Sequence, residues 1–162
     1  MPCMKEDHPL LIGRTPLGVS SAVAALIMVE GDGYLMQLRD PRPDIWYPGH
    51  WGLFGGACDS GEQPEETLAR ELREELELEL GETRYFAGFD FDLAGLGLDA
   101  YFRRYYEVPI TRAALGRLVL HEGTEMRVFG GEAILREPLV TPYDHFALFL
   151  HHARARVAPS GG

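Results

Sequence analysis

At 162 residues, 46% hydrophobic and 25% charged, the chain has the size and composition of one globular domain, residues 1–162, and not of a disordered or two-domain sequence. A formal net charge of -10 excludes a sequence-independent grip on polymeric nucleic acid, which needs a basic surface. Cys3 and Cys58 give no disulfide framework, no secretory leader pattern opens the chain, and no apolar run is long enough to span a bilayer. A cytoplasmic protein without a membrane partner is therefore expected, with flexible ends at 1–8 and 158–162.

In chain order, Val19 to Glu30, the turn Gly31-Asp32-Gly33 and Tyr34 to Arg39 predict an antiparallel hairpin. Asp40 to His50 carries Pro41, Pro43, Pro48 and Gly49 and predicts a loop. Trp51 to Phe54 reads as a short strand, with Trp51 in the core, running into Gly55-Gly56. There the absence of side chains lets the backbone turn tightly and approach a ligand. From Pro64 to Leu80 the residues are strong helix formers, with Leu68, Leu72, Leu76 and Leu80 as an apolar stripe and Gly81 as the stop. Arg84 to Phe91, Tyr101 to Val108, Arg117 to His121 and Met126 to Phe129 read as strands, and Gly130 to Arg136 as a short helix. A last helix spans Pro142 to Val157, with Phe146, Phe149 and Leu150 on one face. Strands, one central helix, more strands and a terminal helix predict an α/β fold with a mixed sheet between helices.

The stretch GACDSGEQPEETLARELREELEL, Gly56 to Leu78, carries the chemistry. On a helix, Glu71, Glu74 and Glu75 fall at i, i+3 and i+4, so their carboxylates gather on one face and repel. A hard divalent cation removes that cost. Mg²⁺ prefers oxygen ligands and shares its remaining positions with waters and substrate phosphates, and Mn²⁺ is an alternative. Arg70 cannot bind a cation and is read as a structural partner of Glu62 or another carboxylate. Trp46 and Tyr47, just before the glycine turn, offer ring faces on which a base can stack, although both also suit a core. Along Tyr101 to Tyr106, Arg103 and Arg104 lie on opposite faces, and one of them, Arg103 by preference, is expected to reach a substrate phosphate. His145, His151 and His152 have no recognised zinc spacing and are read as surface or packing residues. Cys58 is read as a bystander.

Gly56, Glu62, Arg70, Glu71, Leu72, Glu74, Glu75 and Leu78 stand at the spacing of a Nudix box, G-x5-E-x7-R-E-U-x-E-E-x-G-U, and the chain resembles the Nudix hydrolase superfamily. Glu77 stands where that pattern has glycine. The departure removes no ligand and is expected to let the helix run on to Gly81. The resemblance implies an α/β/α sandwich and a Mg²⁺-dependent hydrolase of diphosphate bonds, with metal held by Gly55 (through its carbonyl), Glu71, Glu74 and Glu75. Catalytic roles fall on Glu71, Glu74 and Glu122. Glu122 and Glu125 lie in an E-G-x-x-E context like that of a further metal-reaching carboxylate in several family members. Implied substrates are nucleoside diphosphates linked to another group: nucleotide sugars, ADP-ribose-like compounds or nucleoside triphosphates. A homodimer is a further implication. A nucleotide-sensing module without turnover and a nucleotide-sugar glycosyl hydrolase are the rival readings.

Overall fold

The computed structural model describes residues 20–157. The expectations for the ends 1–8 and 158–162, for Cys3, and for Val19 as the first strand residue lie outside them. The elements are β1 (Ala22–Val29), β2 (Gly33–Leu38), β3 (Trp51–Gly52), α1 (Pro64–Leu76), β4 (Arg84–Phe91), a 3₁₀ turn (Ala94–Leu96), β5 (Tyr101–Ile110), α2 (Arg112–Leu115), β6 (Glu125–Phe129), α3 (Gly131–Arg136) and α4 (Pro142–Val157).

The strands form one mixed sheet in the order β3-β2-β1-β5-β4, with β6 paired to β2. Its centre is the parallel pair β1 and β5, in register from Ala22 opposite Arg103 to Val29 opposite Ile110. The other pairings are antiparallel. Alternate residues of β1 face opposite layers, as the pleat requires. Val23, Ala25, Ile27 and Val29 pack with Leu68, Leu72 and Leu76 of α1. Ala24 and Leu26 pack with Ile134 of α3 and Ala147 and Leu148 of α4. The result is the expected mixed sheet between helical layers.

Several boundaries differ from the sequence reading. The helix α1 ends at Leu76, one turn before the expected Leu80, because Glu77 adopts the left-handed conformation at φ 55. The final carbonyls are then taken by residues beyond the helix: Glu77 N–H donates to Arg73 O, Leu78 N–H to Leu72 O, Val119 N–H to Leu76 O and His121 N–H to Glu75 O. Leu78 and Leu80 still pack against the α1 layer, so the apolar period survives while the helix does not. Arg117 to His121, expected as a strand, is a turn and loop after α2: Arg117 and Leu118 N–H donate back to Ala114 and Leu115 of α2, and Val119 and His121 N–H donate to the end of α1, not to a sheet. Phe146 and Phe149 face solvent at 52% exposure each, because α4 buries Ala147, Leu148 and His151 instead. The short helix α2 and the 3₁₀ turn have no clear periodic signal in four and three residues.

Candidate active site

Two glycines let three layers meet. Gly55 has φ +136, and a Cβ on it would lie 2.2 Å from the Val23 carbonyl oxygen. A Cβ on Gly56 would meet the Glu71 carboxyl carbon at 2.4 Å. The segment therefore lies directly between β1 and α1, pinned by Ala25 N–H to Phe54 O at 2.8 Å, Val23 N–H to Gly56 O at 3.0 Å and Cys58 N–H to Ser21 O at 2.8 Å.

Across that turn the carboxylates of α1 stand in sharply different states. Glu75 is buried, 3% exposed, and accepts the Gly55 N–H at 3.0 Å. Burial first, and then the charge of Glu122, push it up to about 8. Glu71 is partly buried, and burial raises it above the ordinary carboxylate range, opposed by its hydrogen bond from Arg70 and reinforced by the charges of Glu74 and Glu122. Glu74 is largely exposed. Arg70 holds the lower end of the motif together. Its Nε and Nη2 donate to the two oxygens of Glu62, both at 2.9 Å, its Nη1 to Glu71 at 2.7 Å, and its Nη2 to the Ala57 carbonyl at 3.1 Å. Those bonds, with the Thr67 hydroxyl and the Asp59 N–H, hold Glu62 down at about 2.

The donor chemistry fits a hard divalent cation: Glu75 is too buried to ionise cheaply alone, and its nearest charged neighbours are further carboxylates. The donors are not gathered as a finished cage. Among the described residues no three His, Cys, Asp or Glu side chains converge on one point, because Arg70 draws Glu71 and Glu74 toward itself.

A cavity of about 370 Å³ opens beside the glycine turn, walled by Gly55, Gly56 and Glu122 on one side and by Arg39, Trp46, Tyr101, Arg103 and Tyr143 on another. Asp144, 2% exposed in its side chain, anchors this second wall. It accepts from Arg103 Nη2 at 2.9 Å, from the Thr141 hydroxyl at 2.8 Å and from Leu53 N–H at 3.0 Å. Arg103 also lies 4.5 Å over the Tyr143 ring. Arg39 lines the same cavity, donates Nε to the Trp46 carbonyl at 2.9 Å, and among the described residues makes no ion pair. Trp46 meets Tyr101 edge to face at 6.3 Å, and its indole N–H is buried with no hydrogen-bond partner among the described residues.

The structure thus places Gly55 and Glu122 in one wall of the cavity and Trp46 and Arg103 in another, with Glu71 and Glu75 against the glycine turn through Gly56 and Gly55, while Glu74 is exposed beside Arg70 and outside the lining. Glu62 and Arg70 sit behind the carboxylates. Tyr47 is buried against Tyr143 and His50 and is not part of the cavity wall. Glu125 pairs with Arg127 on the surface. Arg104 pairs with Asp90 and stacks over Phe102, outside the cavity. Arg39, Tyr143 and Asp144 are site residues that the sequence reading missed. A lone arginine at a strand end, beside a proline-rich loop with tryptophan, was the available signal for Arg39. For Asp144, an acid in the first turn of an apolar helix carries no such signal.

The NUDIX domain model matches residues 19–146. The nucleoside triphosphatase NudI of Escherichia coli (strain SE11) is 46% identical over 54 residues, which are 33% of this chain and 37% of that protein; the match thus spans just over a third of the relative. The solution structure of the E. coli ORF135 protein superposes with a TM-score of 0.69 at 26% identity, covering 90% of this chain and 96% of that one. The NUDIX domain of Shewanella oneidensis NrtR, complexed with ADP ribose, superposes with a TM-score of 0.63, covering 86% and 88%, and at 18% identity the likeness is one of fold.

Proposed function

The chain belongs to the NUDIX domain family, and from that premise we propose that it is a divalent-metal-dependent pyrophosphohydrolase acting on a nucleoside diphosphate linked to a further group. The observation that carries the reading is Glu75, a carboxylate buried on the acidic face of α1, pushed up to about 8, and fixed by the Gly55 N–H beside an open cavity. A buried carboxylate with no cationic partner is unfavourable unless a cation joins it.

Glu71, Glu74, Glu75 and the Gly55 carbonyl are the residues that would hold Mg²⁺ or Mn²⁺. Bound there, such an ion neutralises diphosphate oxygens and lowers the pKa of a water. The chain's own contribution is placement. Arg70 fixes Glu62 and the box loop, while Glu122 lines the cavity close enough to act on Glu71 and Glu75 and suits a proton acceptor for the attacking water. Arg39, the cavity's unmatched cation, suits a phosphate oxygen. Trp46 and Tyr101 suit a base or sugar, and the cavity volume is that of a small-molecule site. The NudI similarity favours a nucleoside triphosphate, while nucleotide sugars and ADP-ribose-like compounds fit the same walls.

The test is a panel of diphosphate compounds assayed with Mg²⁺ and with Mn²⁺, products identified by mass. A nucleotide sugar or ADP-ribose-like compound is expected to give two phosphate esters and a nucleoside triphosphate to give a nucleoside monophosphate with inorganic pyrophosphate, and Glu75→Gln is expected to fold and to lose nearly all turnover; full activity in that variant would contradict the reading. The engagement of Glu71 and Glu74 by Arg70 favours a second reading, a nucleotide-sensing module. Calorimetry showing tight nucleotide binding with no product in either metal would select it. A glycosyl hydrolase would leave an intact nucleoside diphosphate among the products.

A further inference from the structure

Glu77 stands where the box pattern has glycine, and it keeps the backbone conformation that glycine adopts freely and glutamate does not, at φ 55. Its side chain is engaged. Glu77 Oε1 accepts from His121 Nε2 at 2.7 Å. The His121 N–H in turn donates to the Glu75 carbonyl at 2.9 Å, and Thr124 N–H donates to the Leu38 carbonyl at 2.9 Å. Glu122 therefore sits between two tethered residues. On one side the tether is to the end of the helix that carries Glu71, Glu74 and Glu75; on the other it is to β2. The Glu122 side chain lines the cavity.

We propose that Glu77 and His121 form a positioning clamp that sets the reach of Glu122 toward Glu71 and Glu75. The clamp rests on the reading of Glu122 as part of the hydrolytic centre. With glycine at residue 77 the helix would end at the same place, but the Glu122 loop would hold to it through backbone bonds alone. The left-handed glutamate is thus a strained position kept for its side chain.

The experiment compares the full chain with Glu77→Gly, Glu77→Gln and His121→Ala by three readouts: amide hydrogen exchange in the metal-free protein, thermal midpoint, and kcat and KM on the best compound of the diphosphate panel. Glu77→Gly is expected to keep or raise the thermal midpoint, since it relieves the strained backbone. It is expected to speed exchange at residues 121–124 and to lower kcat about two- to fivefold with KM little changed, the range an exposed pair supplies. His121→Ala should match it in exchange and kcat. Glu77→Gln, whose amide oxygen still accepts from His121, should recover most of both. Unchanged exchange and kcat in Glu77→Gly and His121→Ala would overturn the clamp, as would a loss confined to KM. If no panel compound is cleaved, the hydrolytic reading fails, and exchange in the metal-free protein alone decides whether Glu77 tethers the loop.

Discussion

The two walls of the cavity are built on opposite principles. On the wall of β5 and α4, the buried charges are complete: Asp144 accepts from Arg103, Thr141 and Leu53, and Arg103 also lies against Tyr143. Behind the glycine turn of the other wall, Glu75 of α1 is as buried as Asp144, yet its hydrogen-bond partners, the Gly55 N–H and the Gln37 side chain, are neutral and its charged neighbours Glu122 and Glu71 are carboxylates. A satisfied charge network holds shape, whereas an unsatisfied one is a place for something to be added. On the proposed function, the contrast would separate the part of the site that positions substrate from the part that reacts.

Breaking each wall should give different losses. The largest effect is on turnover: Glu75→Gln should reduce metal-dependent hydrolysis by several orders of magnitude while the fold persists, checked by steady-state assay beside circular dichroism. Asp144→Ala should instead destabilise the scaffold. It leaves the partly buried Arg103 without its carboxylate, and the Thr141 hydroxyl and Leu53 N–H without their acceptor, a loss of up to about 3 kcal/mol once the solvent reaching Arg103 is allowed for, measurable by urea denaturation. The third effect is a pH dependence. Glu75 has a folded pKa raised to about 8, so the folded state binds its proton more tightly than the unfolded state does. Its protonation supports stability below the ordinary carboxylate range, and that support is lost as pH rises from about 4.5 through 8. Glu62 is the reverse. Held at about 2, it contributes stability above the ordinary carboxylate pKa that is lost as pH falls from about 4.5 toward 2. Acid titration of Glu62→Gln against the parent should isolate that smaller loss.

The same contrast explains what the sequence made legible. The α1 wall is local: Gly56 to Leu78 fixes its spacing within one turn and one helix, so Glu71, Glu74 and Glu75 can be placed on a face by counting residues. The opposite wall joins Arg39, Trp46, Tyr101, Arg103 and Tyr143, residues from four separated segments, and no local period connects them. Alternation along β5 placed Arg103 and Arg104 on opposite faces, but only packing shows that Arg103 meets Asp144 and Arg104 meets Asp90. The end of α1 failed for a related reason. Propensity favours running on through Leu-Glu-Leu-Glu-Leu, but Val119 and His121 supply donors for the last carbonyls, and tertiary hydrogen bonding overrode propensity. The sheet and the helical layers came through because they rest on strong local signals, such as the unbroken apolar run Ala22 to Val29 and the leucine stripe of α1.

The most direct test is the thermal midpoint of the parent and of Glu75→Gln, metal-free and with Mg²⁺, across pH 5 to 8. The parent without metal should lose stability relative to Glu75→Gln as pH rises, and Mg²⁺ should restore most of that loss at the upper end while leaving the variant little changed. Parallel curves for the two proteins, with the same response to Mg²⁺, would contradict the claim that Glu75 is a buried carboxylate waiting for a cation.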